Sequence, residues 1–276
     1  MSYITVDDGV KLYYDDSGDG EALIFCHGLN SSHTINESFY KEFRFDFRVI
    51  LYDQRGHGYS DKPTVHMNVE RLGKDLHEII SKLNLDDVTL IGHSMGAVTI
   101  YSYVNQFGCD RIKRIVASDM SPYMRNNDWK GGIAMGEWSD EDFMRDFDRI
   151  FDDVGHAAFY ITKNIMDKSL LDIPLEKQNE LAEAYGKATD PFVMASLWFS
   201  LFRCDQRPAI EKITVPFLYI MPDEPLYSME AVDYIRNNVK NSFVLENDFE
   251  GTTHAIWRQK PGQVANSIKH FMKTFP

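Results

Sequence analysis

The first 120 residues alternate between short apolar runs and longer segments that carry apolar residues at helical spacing. The apolar runs are residues 22–26, 48–52, 88–91 and 112–118. Between the second and third runs, one helical face carries Val69, Leu72, Leu76, Ile79, Ile80 and Leu83. Strands that alternate with helices in this way predict βαβ units, which form a parallel sheet with helices on both faces.

The two ends of the chain extend this pattern. Residues 3–6 and 10–15 read as a hairpin, because the Asp-Asp-Gly sequence between them is a turn signal. Near the other end, residues 216–221 and 242–246 read as two further strands. A last helix follows, with Val264, Ile268, Phe271 and Met272 on its apolar face.

The middle of the chain departs from the pattern. From about residue 123 to 205 no apolar run is flanked by turns, and aromatic and charged residues recur at helical spacing instead. We therefore expect a helical insertion at 122–210, between a first part of the core at 1–121 and a second part at 211–276. The acidic residues of the insertion are most simply a solvated helix face.

Composition restricts the classes of partner and compartment. The chain has 276 residues and a formal net charge of -13, which disfavours binding to nucleic acids and anionic membranes because both are polyanions. Its three widely spaced cysteines form no disulfide framework or metal-ligand pair. We see no signal peptide and no apolar run of about 18 residues, so we expect a cytoplasmic protein.

The strongest chemical signal is residues 92–96, which read Gly-His-Ser-Met-Gly. They follow a predicted strand and precede a predicted helix, which is the context that a G-x-S-x-G turn requires. Such a turn projects the Ser94 hydroxyl above the edge of the sheet. The positive end of the following helix favours negative charge that develops at the same place.

A serine nucleophile needs a base, and the base needs an acid partner. His254 is the candidate base, because it lies on a loop between the last strand and the last helix and so belongs to the same sheet edge. Two positions compete for the acid. Asp119 follows the strand at 112–118, whereas Glu224 follows the strand at 216–221. Asp119 also suits a purely structural role as a turn residue before Ser-Pro.

Two backbone amides are the candidate oxyanion hole, which must bind a carbonyl oxygen that becomes negative. Met95 follows the serine, and Leu29 follows His27 and Gly28 at the end of the first buried strand. We expect His27 to shape this loop by hydrogen bonding. The polar glycine-rich segment 53–61 lacks the lysine and helix of a phosphate site, so we interpret it as a structural turn.

Together, His27-Gly28, segment 53–61, segment 92–96 and segment 251–254 resemble the α/β-hydrolase superfamily. The resemblance implies an eight-stranded, mostly parallel sheet flanked by helices, with a helical cap inserted after strand six. Most members carry Gly-x-x-Asp after strand seven, where this chain reads Met-Pro-Asp-Glu. Some members carry the acid after strand six. The run Asp119-Met120-Ser121-Pro122, followed by Asp128-Trp129, resembles a haloperoxidase-like or esterase subgroup with that relocated acid, so we favour Asp119 over Glu224.

The predicted activity is hydrolysis of a small carboxylic ester, lactone or thioester through an acyl-enzyme, without cofactor or metal. One alternative is cofactor-free perhydrolysis or haloperoxidase-type chemistry on the same triad. A second is a non-catalytic binding protein of the same fold. Four aromatic residues of the insertion are candidates for the substrate wall, namely Trp129, Trp138, Phe159 and Trp198. The sequence leaves the natural substrate and the oligomeric state open.

Overall fold

The computed structural model describes residues 2–245 and 248–276, and a single eight-stranded sheet runs through them. The strands are β1 Ser2–Thr5, β2 Lys11–Ser17, β3 Ala22–Cys26, β4 Arg48–Tyr52, β5 Val88–His93, β6 Ile112–Ser118, β7 Phe217–Ile220 and β8 Ser242–Leu245. Their order is β1-β2-β4-β3-β5-β6-β7-β8, in which β2 is antiparallel to both neighbours and all other pairs are parallel. The predicted mostly parallel sheet is confirmed; Glu246, the predicted end of β8, lies outside the described residues.

The described residues contain eleven α-helices. They are α1 Glu37–Tyr40, α2 Val69–Lys82, α3 Met95–Phe107, α4 Asp140–Asp152, α5 Val154–Ile161, α6 Leu175–Ala188, α7 Pro191–Arg203, α8 Arg207–Ile210, α9 Met229–Asn238, α10 Ile256–Gln259 and α11 Pro261–Thr274. A π-helical turn, Thr162–Met166, follows α5. No helix among the described residues is long and apolar enough to span a bilayer.

The buried strands place their side chains in two separate cores. Along β3, Leu23 and Phe25 join a core with α1 and α11, whereas Ile24 and Cys26 join a core with α2 and α3. This alternation follows from the two-residue side-chain period of a strand. Both faces of β3 are covered, and the run is apolar throughout because a parallel sheet is buried on both sides.

Parallel pairing brings the carboxyl ends of the central strands to one edge of the sheet. Cys26 at the end of β3 lies beside Gly92 on β5, and His93 lies beside Ser118 at the end of β6. The residues that follow β3, β5 and β6 therefore begin their loops next to one another. In open α/β sheets this edge is the usual place for a ligand site.

Helices α4 to α7 all lie between β6 and β7, and we refer to them as the inserted helices. The two ends of this insertion meet, because the Gln206 backbone N–H donates to the Pro122 carbonyl across 2.8 Å. On the core side, the Val69 N–H donates to Ser200 Oγ across 2.9 Å. The segment is helical, as the sequence analysis predicted. The division of the chain into core at 1–121 and 211–276 and cap at 122–210 stays a prediction.

A buried charge network fixes the loop that follows β4. Arg55 is fully buried, and its Nε donates to Asp75 Oδ2 on α2 across 2.5 Å. Arg71 Nε donates to the other oxygen of Asp75 across 2.9 Å. Asp8 also accepts from Arg55, which ties the β1–β2 hairpin to the same cluster. The network joins three parts of the chain that are distant in sequence.

We expect Asp75→Ala to lower the free energy of unfolding by about 3–5 kcal/mol, because it leaves the buried Arg55 guanidinium without its closest counter-charge. Urea unfolding at neutral pH measures the change. Glu180→Ala is the matched control, since Glu180 forms only an exposed ion pair with Lys177. Equal stabilities of the two variants would contradict the assignment of a structural role to the network.

Candidate active site

Ser94 sits on a strained turn between β5 and α3. Its φ is 55° and its ψ is -126°, a left-handed conformation that is costly for any residue with a Cβ. Gly92 and Gly96 make the turn possible. A Cβ on Gly92 would lie 2.7 Å from the Ala97 nitrogen, and one on Gly96 would collide with the Cys26 carbonyl. The two glycines therefore let the start of α3 pack directly on the end of β3.

The structure places His254 against Asp119 at the same sheet edge. His254 Nδ1 lies 2.7 Å from Asp119 Oδ2, and the Asp119 side chain is fully buried. The two oxygens of Asp119 also accept the Leu226 backbone N–H at 3.1 and 3.2 Å. A buried carboxylate with these donors holds the imidazole proton on Nδ1 and leaves Nε2 as the basic nitrogen.

Glu224, the alternative acid, makes a different contact. Its backbone N–H donates to the Thr252 carbonyl across 2.9 Å, and the residue lines a second cavity of about 360 Å³. Within residues 2–245 and 248–276, no hydrogen bond or ion pair joins the Glu224 carboxylate to His254. The geometry therefore favours Asp119 over Glu224 as the partner of the histidine.

Ser94 and His254 line the same cavity, which has a volume of about 380 Å³. No hydrogen bond joins Ser94 Oγ to the His254 ring among the described residues. Catalytic hydrogen bonds are often long without substrate and tighten in the reacting complex, so this geometry is compatible with a serine–histidine pair. The structure thus brings the candidate nucleophile, base and acid to one place at the carboxyl edge of the sheet.

The loop that carries His254 is held from two sides. His93 Nε2 donates to the His254 carbonyl across 2.7 Å, and the two imidazole rings lie 4.6 Å apart between centroids. Burial, followed by the nearby His254, lowers the pKa of His93 to about 3, so His93 is neutral. On the other side, Asp223 Oδ2 accepts the Gly251 N–H across 2.9 Å. The acidic residue beside Glu224 therefore anchors the histidine loop.

The backbone amides of Leu29 and Met95 are suitably free for an oxyanion hole. Neither N–H has an acceptor among the described residues, and Met95 is the first residue of α3, where N–H groups have no helical partner. A Cβ on Gly28 would lie 3.3 Å from the Ser94 Cβ, so the Leu29 loop passes close to the serine. Both donors are therefore near the candidate nucleophile.

Two buried histidines fix the loop that carries Leu29. His27 Nδ1 donates to the Gly28 carbonyl across 2.8 Å, and its Nε2 accepts the Gln54 N–H across 3.0 Å. His57 Nδ1 donates to the Arg55 carbonyl, and its Nε2 accepts the Asn30 N–H across 3.1 Å. Each ring donates from one nitrogen and accepts at the other, so both imidazoles are neutral. This matches the loop-shaping role expected for His27 and the structural role expected for segment 53–61.

The buried His57 gives a prediction for the dependence of stability on pH. Burial, with a smaller contribution from His27, lowers the pKa of His57 to about 3, whereas an unfolded histidine has a pKa of about 6.5. Between these values the unfolded chain binds a proton that the folded chain does not, so stability falls as pH falls. The free energy of unfolding of the natural protein should fall from pH 7 to pH 5. We expect this fall to be about 2 kcal/mol smaller in His57→Gln.

Urea unfolding at the two pH values measures this difference. Gln at position 57 offers an acceptor for the Asn30 amide and a donor for the Arg55 carbonyl, but it does not titrate. His270→Gln, on the exposed side of α11, is the matched control and should keep the natural slope. If His57→Gln kept the natural slope as well, His57 would not be the titrating group.

The cavity wall includes one of the four predicted aromatic residues. Trp198 on α7 lines the cavity together with Ser94. Trp138 lines the second cavity and donates Nε1–H to Asp146, whereas Phe159 lines a groove against α6. Trp129 donates to the Tyr123 carbonyl and packs on Tyr234, so hydrogen bonding and packing hold its ring in the fold. Of the four candidates, Trp198 is the one that lines the cavity of Ser94 in the described residues, and the substrate wall itself stays a prediction.

Most residues of the wall were not singled out from the sequence. They include Ile35, Asn36, Ile161, Met166, Leu181, Tyr185, Met194, Trp257 and Arg258. They come from the loop after β3, the inserted helices, the π-helical turn and α10, which are far apart in the chain. No local spacing signals such a set, because the residues share only their distance from Ser94.

Comparison with known proteins agrees with this architecture. Residues 21–149 match the family model of the alpha/beta hydrolase fold. A putative non-heme chloroperoxidase of Synechocystis is 26% identical, with 99% of this chain and 100% of that protein aligned. The matched residues of the family model include β3, β5, α3 and the serine turn.

Solved structures share the whole fold. A bromoperoxidase from Bacillus anthracis superposes with a TM-score of 0.83 at 24% identity, covering 96% of both chains. An esterase from Exiguobacterium antarcticum superposes with a TM-score of 0.85 at 21% identity, covering 99% of both chains. The family model and these relatives support the α/β-hydrolase superfamily for this chain, with haloperoxidase-like and esterase-like proteins among its relatives.

Proposed function

We propose that this protein is a serine hydrolase that cleaves a small carboxylic ester, lactone or thioester. The observation that carries the proposal is the 2.7 Å contact between His254 Nδ1 and Asp119 Oδ2, beside a serine on a strained turn that lines the same cavity. A nucleophile, a base and an acid that orients the base are the parts that acyl transfer through a covalent intermediate requires.

Each residue has a defined part in the proposed reaction. Ser94 Oγ attacks the carbonyl carbon while His254 Nε2 takes its proton, and Asp119 stabilises the imidazolium that forms. The amides of Leu29 and Met95 donate to the carbonyl oxygen as it becomes negative. His254 then gives the proton to the leaving oxygen or sulfur. Water, activated by the same imidazole, releases the acid and restores the serine.

The cavity supports a substrate of modest size with an apolar part. Its volume of about 380 Å³ lies near the lower end of the range usual for small-molecule sites. The inserted helices contribute apolar residues, among them Ile161, Leu181 and Trp198. A short or medium acyl or alcohol group fits this wall better than a polymer does.

Labelling with a fluorophosphonate tests the proposal directly. We expect one covalent adduct, located at Ser94 by peptide mass spectrometry, because an activated serine attacks the phosphorus centre. Hydrolysis of p-nitrophenyl esters with acyl chains of two to eight carbons should then be measured. Absence of both the adduct and ester hydrolysis would overturn the proposal and would favour the non-catalytic binding protein.

Perhydrolysis is the second candidate, and the names of the relatives favour it. A chloroperoxidase and a bromoperoxidase are among the similar proteins. In this alternative, the acyl-enzyme on Ser94 reacts with hydrogen peroxide instead of water and releases a peracid. Peracid formation from acetate plus peroxide, compared with the rate of p-nitrophenyl acetate hydrolysis, distinguishes the two. A larger kcat/KM for peracid formation would make perhydrolysis the main activity.

A further inference from the structure

The wall of the catalytic cavity has two chemically different parts. The inserted helices provide an apolar part, with Ala158, Ile161, Leu181, Ala184, Met194 and Trp198. The loop after β3 and helix α10 provide four polar side chains, Asn30, Ser31, Asn36 and Arg258, beside the apolar Ile35 and Trp257. A cavity with such a wall suits a ligand that is apolar at one end and polar at the other.

Asn36 and Arg258 lie at two neighbouring helices, α1 and α10. Asn36 immediately precedes α1, and Arg258 belongs to α10. The two helices pack through Phe39 and Trp257, whose rings stack with centroids 4.6 Å apart. This aromatic contact holds α1 and α10 together, and it thereby holds Asn36 and Arg258 in one region of the wall.

The Arg258 guanidinium has no protein counter-charge. Within residues 2–245 and 248–276, it forms no ion pair and no hydrogen bond with a carboxylate. The acidic residue of the neighbouring α1, Glu37, pairs instead with Arg44 Nη1 across 3.1 Å. The chain has 42 acidic and 29 basic residues, so carboxylates are in excess. An arginine that lines a cavity and has no carboxylate partner is available to bind a ligand.

The other charged side chain among the lining residues, Asp167, makes its hydrogen bonds within the protein. Asp167 is buried, and its Oδ1 accepts both the N–H and the hydroxyl of Ser169, the latter across 2.5 Å. These contacts cap the turn Lys168–Leu171. Among the residues that line this cavity, Arg258 is the one lysine or arginine, and its guanidinium has donors free to bind an anion.

We propose that the natural substrate carries a carboxylate, which Arg258 binds while Ser94 attacks the ester or lactone bond. This inference rests on the proposed hydrolase function and names its substrate class. A guanidinium presents a planar set of donors that matches the two oxygens of a carboxylate. The apolar part of the wall then packs on the carbon chain between the carboxylate and the reactive carbonyl.

Matched esters test the inference. Monomethyl glutarate, adipate and suberate are each compared with the neutral methyl ester of the same carbon number, namely methyl pentanoate, hexanoate and octanoate. We expect Arg258→Gln to lower the ratio of kcat/KM for the anionic ester over its neutral counterpart by about tenfold for at least one chain length. Arg258→Lys should keep most of the preference, because it keeps the charge.

Lys260→Gln is the matched control, since Lys260 is an exposed cation two residues away that does not line the cavity. It should leave every ratio unchanged. Ratios that are the same in Arg258→Gln and the natural protein, at all three chain lengths, would overturn the inference.

A binding measurement separates this inference from the proposed function. Calorimetric titration of Ser94→Ala with each monomethyl ester needs no turnover. We expect binding that weakens about tenfold when Arg258→Gln is added to Ser94→Ala. If no ester were hydrolysed but this weakening were seen, the hydrolase proposal would fail and the carboxylate site would stand. Binding that is equal in the two variants, or absent in both, would overturn the carboxylate site.

Discussion

Ser94→Ala is expected to lower kcat/KM for p-nitrophenyl acetate by about 10⁴-fold or more, because the proposed reaction has no other nucleophile. The variant should fold like the natural protein. Alanine keeps the Cβ at position 94, so the strain of the left-handed turn is unchanged, and Gly92 and Gly96 still allow close packing. The loss should therefore appear in the rate and not in the melting temperature.

Ser81→Ala is the matched control, since Ser81 is an exposed serine on α2. It should retain full activity and should still form the fluorophosphonate adduct. Steady-state rates over a range of ester concentrations, with the melting temperature of each variant, provide the measurement. Full activity of Ser94→Ala would exclude the acyl-enzyme mechanism.

Asp119→Asn is expected to lower kcat by about 10⁴-fold while the fold is retained. Asparagine tolerates the positive φ of 43° at this position, and its shape matches that of aspartate. Its amide group would donate to His254 Nδ1, which places the imidazole proton on Nε2. The nitrogen that faces the serine would then be a donor and could not take the serine proton.

Glu224→Gln is the comparison that decides between the two acids. We expect its kcat to stay within about threefold of the natural value, because the contact of Glu224 with the histidine loop is made by its backbone N–H. The rates of both variants should be measured from pH 5 to pH 9. A large loss in Glu224→Gln together with natural rates in Asp119→Asn would assign the acid to Glu224.

All eight strands were predicted from the sequence, and their bounds agree closely with the structure. The runs at 22–26, 48–52 and 112–118 match β3, β4 and β6. A strand that is buried on both faces needs a continuous apolar run, and turn residues and glycines mark where the run ends. Both signals are local in the sequence. That the eight strands form one mostly parallel sheet came from the family resemblance, and their order came from the structure, because strand pairing depends on contacts between distant residues.

The helical insertion was predicted less completely. Aromatic and charged residues at helical spacing indicated a helical segment from about 123 to 205, but they did not single out α5 or the π-helical turn Thr162–Met166. Helix α5 has only eight residues, too few for a repeating pattern to stand out. The side of each inserted helix that faces the cavity depends on its packing against the others.

The sequence by itself determined the chemistry that is available at the sheet edge. The serine turn was identified from two glycines that only a tight strand-to-helix connection requires, and the candidate histidine from its place between the last strand and the last helix. Both assignments depend on local geometry and on the rule that parallel strands end at one edge.

Only the tertiary structure shows that Asp119 contacts His254 and that Trp198, of the four aromatic residues, lines the cavity of Ser94. Asp119 and Glu224 both follow strands that end at the catalytic edge, so their places in the chain are equivalent. They differ in the 2.7 Å contact of Asp119 with an imidazole 135 residues away. The availability of Arg258 likewise depends on which carboxylates pack near it. Distances between residues far apart in a chain are set by the packing of the whole fold, and no local pattern encodes them.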